Sequence, residues 1–338
     1  MAVSAFTVGV DGPALSADEV SFLARARPWG VILFARNIEH PAQVRALTVS
    51  IRDILGEGTP ILIDQEGGRV QRMFPPHWRQ WLPPLDHVAA SGGSARAMYL
   101  RGLLIGHELA SVGIDVNCAP TCDVAMADTH PFLRNRCFGE SAGLVTAMAR
   151  AMVDGMADAG VLAVMKHMPG HGRGRVDSHF GLPVSDADMA TLEAVDFAPF
   201  RGLCDLPMGP AMGMTAHMLF RALDTLPATV SPEVIGRAIR GAIGFDGLLM
   251  SDDIGMQALG GSVVERALAA QAAGCDLILH CNGDLAERRA LAAALPPMGQ
   301  QAERRAAAAL SGRRVPVNLD IAALEGELEA LMGGRVYA

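Results

Sequence analysis

Short runs of apolar, largely β-branched residues recur along the chain, and between them apolar positions fall at helical spacing. The runs that read as strands are FTVGV from Phe6, GVILF from Gly30, PILID from Pro60, IDVNCAP from Ile114, VLAVMKH from Val161, PAMGMTAH from Pro210, GLLMSDD from Gly247 and CDLILHC from Cys275. They are close to continuously apolar, the pattern of a parallel strand covered on both faces. Intervening segments such as SADEVSFLARARP, HPAQVRALTVSIRDIL and SPEVIGRAIRGAIG open with Ser or His-Pro and stop at Gly or Pro, as helices do. Eight strand–helix units predict an α/β fold, a single (β/α)₈ TIM-type barrel spanning residues 1–338. A doubly wound sheet split over two domains is the alternative, but no Pro/Ser-rich linker divides the chain. The Ala/Arg-rich stretch 285–338 (AERRALAAAL, QQAERRAAAAL) predicts C-terminal helices packed on the outside.

Polar residues gather where the apolar runs end. The third run leads into DQEGGRVQR (Asp64, Glu66, Arg69, Arg72) and the fifth ends in Lys166-His167. The sixth ends in Thr215-Ala216-His217 and the seventh in Ser251-Asp252-Asp253. In a barrel these strand ends share one rim, where active sites are built. A carboxylate directly after GLLM is costly unless it has a partner or a task. An ion pair would explain any one of these residues; four strands ending this way point to a site.

The stretch KHMPGHGRGRVDSHFGLP, from Lys166, holds three histidines. His167 and His171 have the spacing of a helical zinc pair, but Pro169, Gly170 and Gly172 break helices. The Glu that a HExxH enzyme needs is missing, and so is the strand–GxxxxGK[ST]–helix frame of a phosphate cradle. The segment reads instead as a strand end followed by a mobile, Gly-rich loop that carries polar groups over the rim, its glycines giving it freedom to swing. Asp177-Ser178-His179 can set a carboxylate beside an imidazole, which orients the ring and raises its basicity for general acid/base work. A plain Asx-type turn is the alternative reading.

Composition narrows the partners. A net charge of −8 and a pI near 5.7 disfavour nucleic acid, which needs a basic face. No apolar stretch reaches the ~20 residues of a membrane span. The N-terminus lacks a basic region ahead of its apolar run, so it does not read as a signal peptide, and a cytoplasmic location is expected. Six scattered cysteines fit buried free thiols in a reducing compartment, and Cys118/Cys122 lack the spacing of a zinc knuckle. No metal, no cofactor and a monomeric chain are expected.

DQEGGRVQR, the stretch Arg134–Gly139, KHMPGHG with its following DSH, MTAH and SDD resemble, in order, the family 3 glycoside hydrolases. The likeness is greatest to the bacterial cytosolic β-N-acetylglucosaminidases of peptidoglycan recycling. It implies a barrel and a retaining, double-displacement release of terminal β-linked GlcNAc from saccharide or muropeptide fragments such as GlcNAc-1,6-anhydroMurNAc. By the same resemblance Asp252 is the nucleophile that forms a glycosyl-enzyme, and His179 is the general acid/base coupled to Asp177. Asp64, Arg72, Arg136, Lys166 and His167 match positions that hold the sugar. His171 is read as loop architecture and His217 as support for the rim. An imidazole, with an ordinary pKa of ~6.5, can serve as acid and then base without the burial a carboxylic acid requires. Other family 3 exo-glycosidases and GlcNAc phosphorylases are the alternatives. Arg173 and Arg175, where many relatives carry acidic or hydroxyl residues, suggest a basic loop that could favour carboxylates on the leaving side.

Overall fold

The structure is a computed structural model, describing residues 3–178, 180–205, 209–317 and 320–337. Eight parallel strands close a barrel in sequential order: β1 (Ser4–Gly9), β2 (Pro28–Leu33), β3 (Ile61–Ile63), β4 (Val116–Asn117), β5 (Leu162–Met168), β6 (Met212–Thr215), β7 (Leu248–Asp253) and β8 (Leu277–His280). β1 closes on β8 through Phe6↔Ile278 and Thr7↔Leu279, and on β2 through Val8↔Val31. Each strand lies within its sequence-predicted run or within two residues of it. A small parallel pair, Val184–Ser185 with Leu219–Phe220, was not legible in the sequence.

Alternate strand residues divide between two cores. Ile32, Leu62, Val116, Val164, Met212, Leu248 and Leu277 form one buried cluster inside the barrel. Their neighbours Val31, Leu33, Ile61, Ile63, Met165, Leu249 and Ile278 belong to the cluster shared with the surrounding helices. Both faces of each strand are therefore dry, which accounts for the unbroken apolar runs.

Local chemistry sets the helix starts. Ser16 and Glu19 form a capping box before the helix Ala17–Ala26, and His40 with Pro41 opens Pro41–Leu55. The predicted helix in SPEVIGRAIRGAIG is present as the wider π-type coil Val234–Ala242. Three helices follow β8: Leu285–Ala294, Gln300–Ser311 and Ile321–Leu331. Within this C-terminal packing, Gln300–Ser311 is seated against the strand ends. Its Ala302, Ala306 and Ala309 join the barrel-interior cluster, and Arg305 ties Asp246 and Asp276 ahead of β7 and β8. This helix closes the barrel's lower end and leaves the opposite rim as the open one. No helix among the described residues is long and apolar enough to cross a membrane.

Candidate active site

The residues that follow the strands meet on the open rim around a cavity of about 510 Å³. Asp64 after β3, Lys166 and His167 in β5, and Asp252 in β7 line it, together with Arg72 and Arg136. Six of the residues singled out in the sequence are thus brought together. Ser178 also lines the cavity. The neighbouring Asp177 is half-buried, and its carbonyl accepts the N–H groups of Phe180 and Gly181 at 3.0 and 3.1 Å. His179 lies outside the described residues.

Opposite charges alternate across the cavity floor. Lys166, 2% exposed, places Nζ 2.8 Å from Asp64 and 2.7 Å from Glu66. Glu66 in turn accepts Nε and Nη2 of Arg136 at 3.0 and 2.8 Å, and Arg72 reaches Asp64 at 3.3 Å. Burial would raise both carboxyls, but Lys166 and Arg72 hold Asp64 below the usual range, and Arg136 and Lys166 hold Glu66 further below it. The same contacts keep Lys166 and Arg136 protonated despite burial.

His167 is fixed in one tautomer. Arg136 Nη2 sits 3.2 Å from its Nε2, and a guanidinium only donates, so Nε2 accepts. Nδ1 therefore carries the proton and donates to Asp123 at 2.7 Å. Asp123 also accepts the backbone N–H of His167 and of His171 at 3.3 and 2.6 Å. Buried His171 lines the cavity, and neither ring nitrogen has a hydrogen-bond partner among the described residues. Burial and the neighbouring His167 push its pKa down to about 4, so its ring is neutral.

Asp252 accepts the N–H of Asp253 at 2.8 Å. Burial would raise its pKa, but His217, His167, that N–H and Lys166 together bring it down to about 2. It is an anion throughout the neutral range. His217 supports the backbone behind it, donating Nε2–H to the Asp253 carbonyl at 2.9 Å, with Nδ1 2.7 Å from Thr229 Oγ1.

Asp123, His167 and His171 offer ligand atoms within 4.8 Å of one another, close enough to share a metal ion. Their hydrogen bonds argue against that use. Asp123 holds three N–H groups, and both His167 nitrogens are engaged, the outer one by a cation. Of the three, His171 alone has ring nitrogens without a hydrogen-bond partner among the described residues.

The loop after β5 is pinned at its root. Arg173 Nε meets the buried Asp196 carboxylate at 2.8 and 3.1 Å. Thr129 donates to the Gly172 carbonyl, and His130 N–H bonds the Gly174 carbonyl at 2.9 Å. A Cβ on Gly172 would stand 1.8 Å from the Val124 carbonyl oxygen, and one on Gly170 (φ +136°) would stand 3.1 Å from that of Asp196. These glycines permit close backbone approach, which differs from the freely hinged loop their number suggests. Exposed Arg175 pairs with Asp128 at 2.6 Å. Each of the two loop arginines is thus paired with a carboxylate, Arg173 with a buried one and Arg175 with an exposed one.

Two buried residues that hold the lining side chains from beneath, Glu66 and Asp123, are not among the site residues the sequence points to. Glu66 stands in the quoted DQEGGRVQR stretch but was not separated from Asp64. Asp123 follows the fourth apolar run, and the rule that polar residues at strand ends mark the rim was the signal that could have found it.

Residues 4–311 match the model of the glycosyl hydrolase family 3 N-terminal domain. A β-hexosaminidase of Alkalilimnicola ehrlichii is 40% identical over 287 residues, 83% of this chain and 82% of that one. A β-hexosaminidase of Chromobacterium violaceum is 38% identical over 305 residues, 88% and 84% of the two chains. The crystal structure of native NagZ from Neisseria gonorrhoeae superposes with a TM-score of 0.84 at 28% identity, covering 99% of this chain and 97% of that one. With the eight-stranded barrel and its rim of paired charges, these likenesses make the chain a glycoside hydrolase that belongs to glycosyl hydrolase family 3.

Proposed function

We propose that the chain is a retaining exo-β-N-acetylglucosaminidase, a β-N-acetylhexosaminidase that removes terminal β-linked GlcNAc from peptidoglycan fragments in the cytoplasm. GlcNAc-1,6-anhydroMurNAc, with or without peptide, is the proposed substrate. The observation that carries the reading is Asp252. It is a buried carboxylate at a strand end, lining the cavity and held ionised at about 2. A group that must attack an anomeric carbon has to be deprotonated before substrate arrives.

The sugar lies on the charged floor, where Asp64 accepts hydroxyl protons while Arg72, Arg136, Lys166 and His167 fix the ring. An oxygen of Asp252 bonds to the anomeric carbon as the bond to the leaving oxygen breaks. His179, as the imidazolium held by Asp177, protonates that oxygen. The neutral imidazole then takes a proton from water, whose oxygen displaces Asp252, so that two inversions give net retention.

Turnover of β-GlcNAc and β-Glc aryl glycosides, with Asp252→Ala as control, tests this reading. The expected result is hydrolysis of the GlcNAc glycoside with retention, and a loss in the variant on the order of 10⁴-fold or more. Near-normal turnover by Asp252→Ala would remove the mechanism, and preference for the glucoside would remove the substrate class.

A further inference from the structure

We infer that Arg69, seated on the ring of Phe132 at the cavity mouth, recognises a carboxylate on the leaving-group side of the substrate. This rests on the glycosidase reading above and names the chemistry of the group being released.

The cations around the cavity are otherwise engaged. Lys166 lies between Asp64 and Glu66, Arg136 holds Glu66, and Arg72 holds Asp64. Arg36 also lines the cavity, but donates to the carbonyls of Val10 and Cys281 at 2.8 and 2.7 Å and to Asn282 at 2.8 Å. Arg173 and Arg175 are bound to Asp196 and Asp128. Arg69 differs from all of these. It is exposed, lines the cavity, and has no acidic partner or hydrogen bond among the described residues; its guanidinium lies 3.8 Å from the Phe132 ring centroid.

Both halves of this platform are held in place. The turn that presents Arg69 is closed by Glu66 N–H and Gly67 N–H on the Val70 carbonyl, at 2.9 and 3.1 Å, and by Gly68 N–H on the Trp81 carbonyl at 2.9 Å. Phe132 follows Pro131 at the first turn of the helix Pro131–Arg134, and its ring also lies 5.5 Å from the Arg136 guanidinium. A guanidinium stacked on a ring keeps its donor fork facing outward and loses little freedom on pairing with a planar carboxylate. The cavity, at about 510 Å³, is of a size that takes ligands larger than a single sugar ring. The floor accounts for the sugar to be released, and the Arg69–Phe132 edge for the next unit, with the ring holding the guanidinium and the fork reading the acid.

The test compares β-GlcNAc disaccharides whose second ring carries a free carboxylate with the same compounds as carboxamides. A third substrate, an amide extended by a short peptide with its own carboxylate, separates an acid on the sugar from one on the peptide. The readout is the ratio of kcat/KM on acid to that on amide within one enzyme preparation, which does not depend on how much of a variant is folded. The wild type is expected to favour an acid-bearing substrate, the preference shrinking in high salt. Arg69→Ala should lower the ratio about tenfold, the scale of one hydrogen-bonded charge, and Arg69→Lys should retain part of it. Equal losses on acid and amide, or no acid preference in the wild type, would overturn the assignment. If the wild type failed to cleave any β-GlcNAc glycoside, the glycosidase reading itself would fall, a distinct result.

Discussion

Changing Glu66 to Gln removes one negative charge from between two buried cations while keeping the side chain's size. Glu66 takes Lys166 Nζ at 2.7 Å and the Nε and Nη2 of Arg136 at 3.0 and 2.8 Å. In the variant Lys166 keeps Asp64 at 2.8 Å, whereas Arg136 loses its one charged hydrogen-bond partner and keeps His167 Nε2 at 3.2 Å. Removing one partner from a buried ion pair costs ~3–5 kcal/mol. The amide oxygen still accepts one hydrogen bond, so the lower end, about 3 kcal/mol, is expected. At about 2 °C per kcal/mol for a chain this large, the melting temperature should fall by roughly 6 °C.

The pH dependence gives the experiment its sign. Arg136 and Lys166 hold the Glu66 carboxyl far below its ordinary value against the effect of burial. Its contribution is thus fully present above the unfolded-state value of ~4.3 and is lost as pH falls through the folded value below it. Urea unfolding of wild type and variant should give the same gap at pH 8 and pH 6, narrowing below about pH 4. kcat/KM on an aryl β-GlcNAc substrate should drop about 10- to 100-fold as Lys166 and Arg136 lose their alignment. A variant melting within about 1 °C of wild type, with unchanged KM, would refute the claim that Glu66 organises the floor.

Two further substitutions probe the loop root. Arg173→Ala leaves Asp196 buried without its cation; burial already lifts that carboxyl to about 6 against Arg173, so removing the arginine lifts it further. The variant should therefore be destabilised more at pH 7.5 than at pH 5, where Asp196 is protonated, and a pH-independent loss in urea titrations would contradict this. Gly172→Ala puts a Cβ 1.8 Å from the Val124 carbonyl and should cost at least ~1–3 kcal/mol, with a loss of turnover larger than that of Gly181→Ala, where a Cβ meets nothing within 4 Å. Equal kinetics for the two alanine variants would mean that the root tolerates displacement.

The barrel was legible because both faces of its strands are dry, and that leaves an unbroken apolar signature in the chain. The rim was legible because charges at the ends of such runs have no inexpensive explanation in the core. What the pattern cannot carry is pairing. Glu66 and Asp64 stand two positions apart in the same motif, yet only packing assigns Arg136 to one and Arg72 to the other. Asp123 meets His167 across 44 positions, and Lys166 meets Asp64 across 102. The loop glycines misled for a related reason. A glycine needed so that backbone can approach a carbonyl has the same letter as one needed for freedom, and only the position of Val124 separates the two. The helix Gln300–Ser311 reads as a surface helix because its buried face is alanine, which carries little apolar signal.

The state of the floor bears on where the proton for the leaving group can originate. Asp64, Glu66, Asp123 and Asp252 are all held below their ordinary values by the cations and N–H groups around them, so none has a proton to give near neutrality. Lys166 and Arg136 are held in the protonated state by those same carboxylates. His171 and His217 are pushed below their ordinary value, chiefly by burial, and a neutral imidazole is a poor acid. His167 commits its one N–H to Asp123. A floor this well paired can bind and polarise a sugar and can supply a nucleophile, but among the described residues it offers no general acid. In the proposed mechanism the acid comes from the loop over the rim, and Ser178, which lines the cavity, stands between Asp177 and His179 in the chain. The root of that loop is clamped by Asp123, Thr129 and Asp196, and on the proposed mechanism this clamping sets the aim of the acid, which is only as well placed as the backbone that carries it.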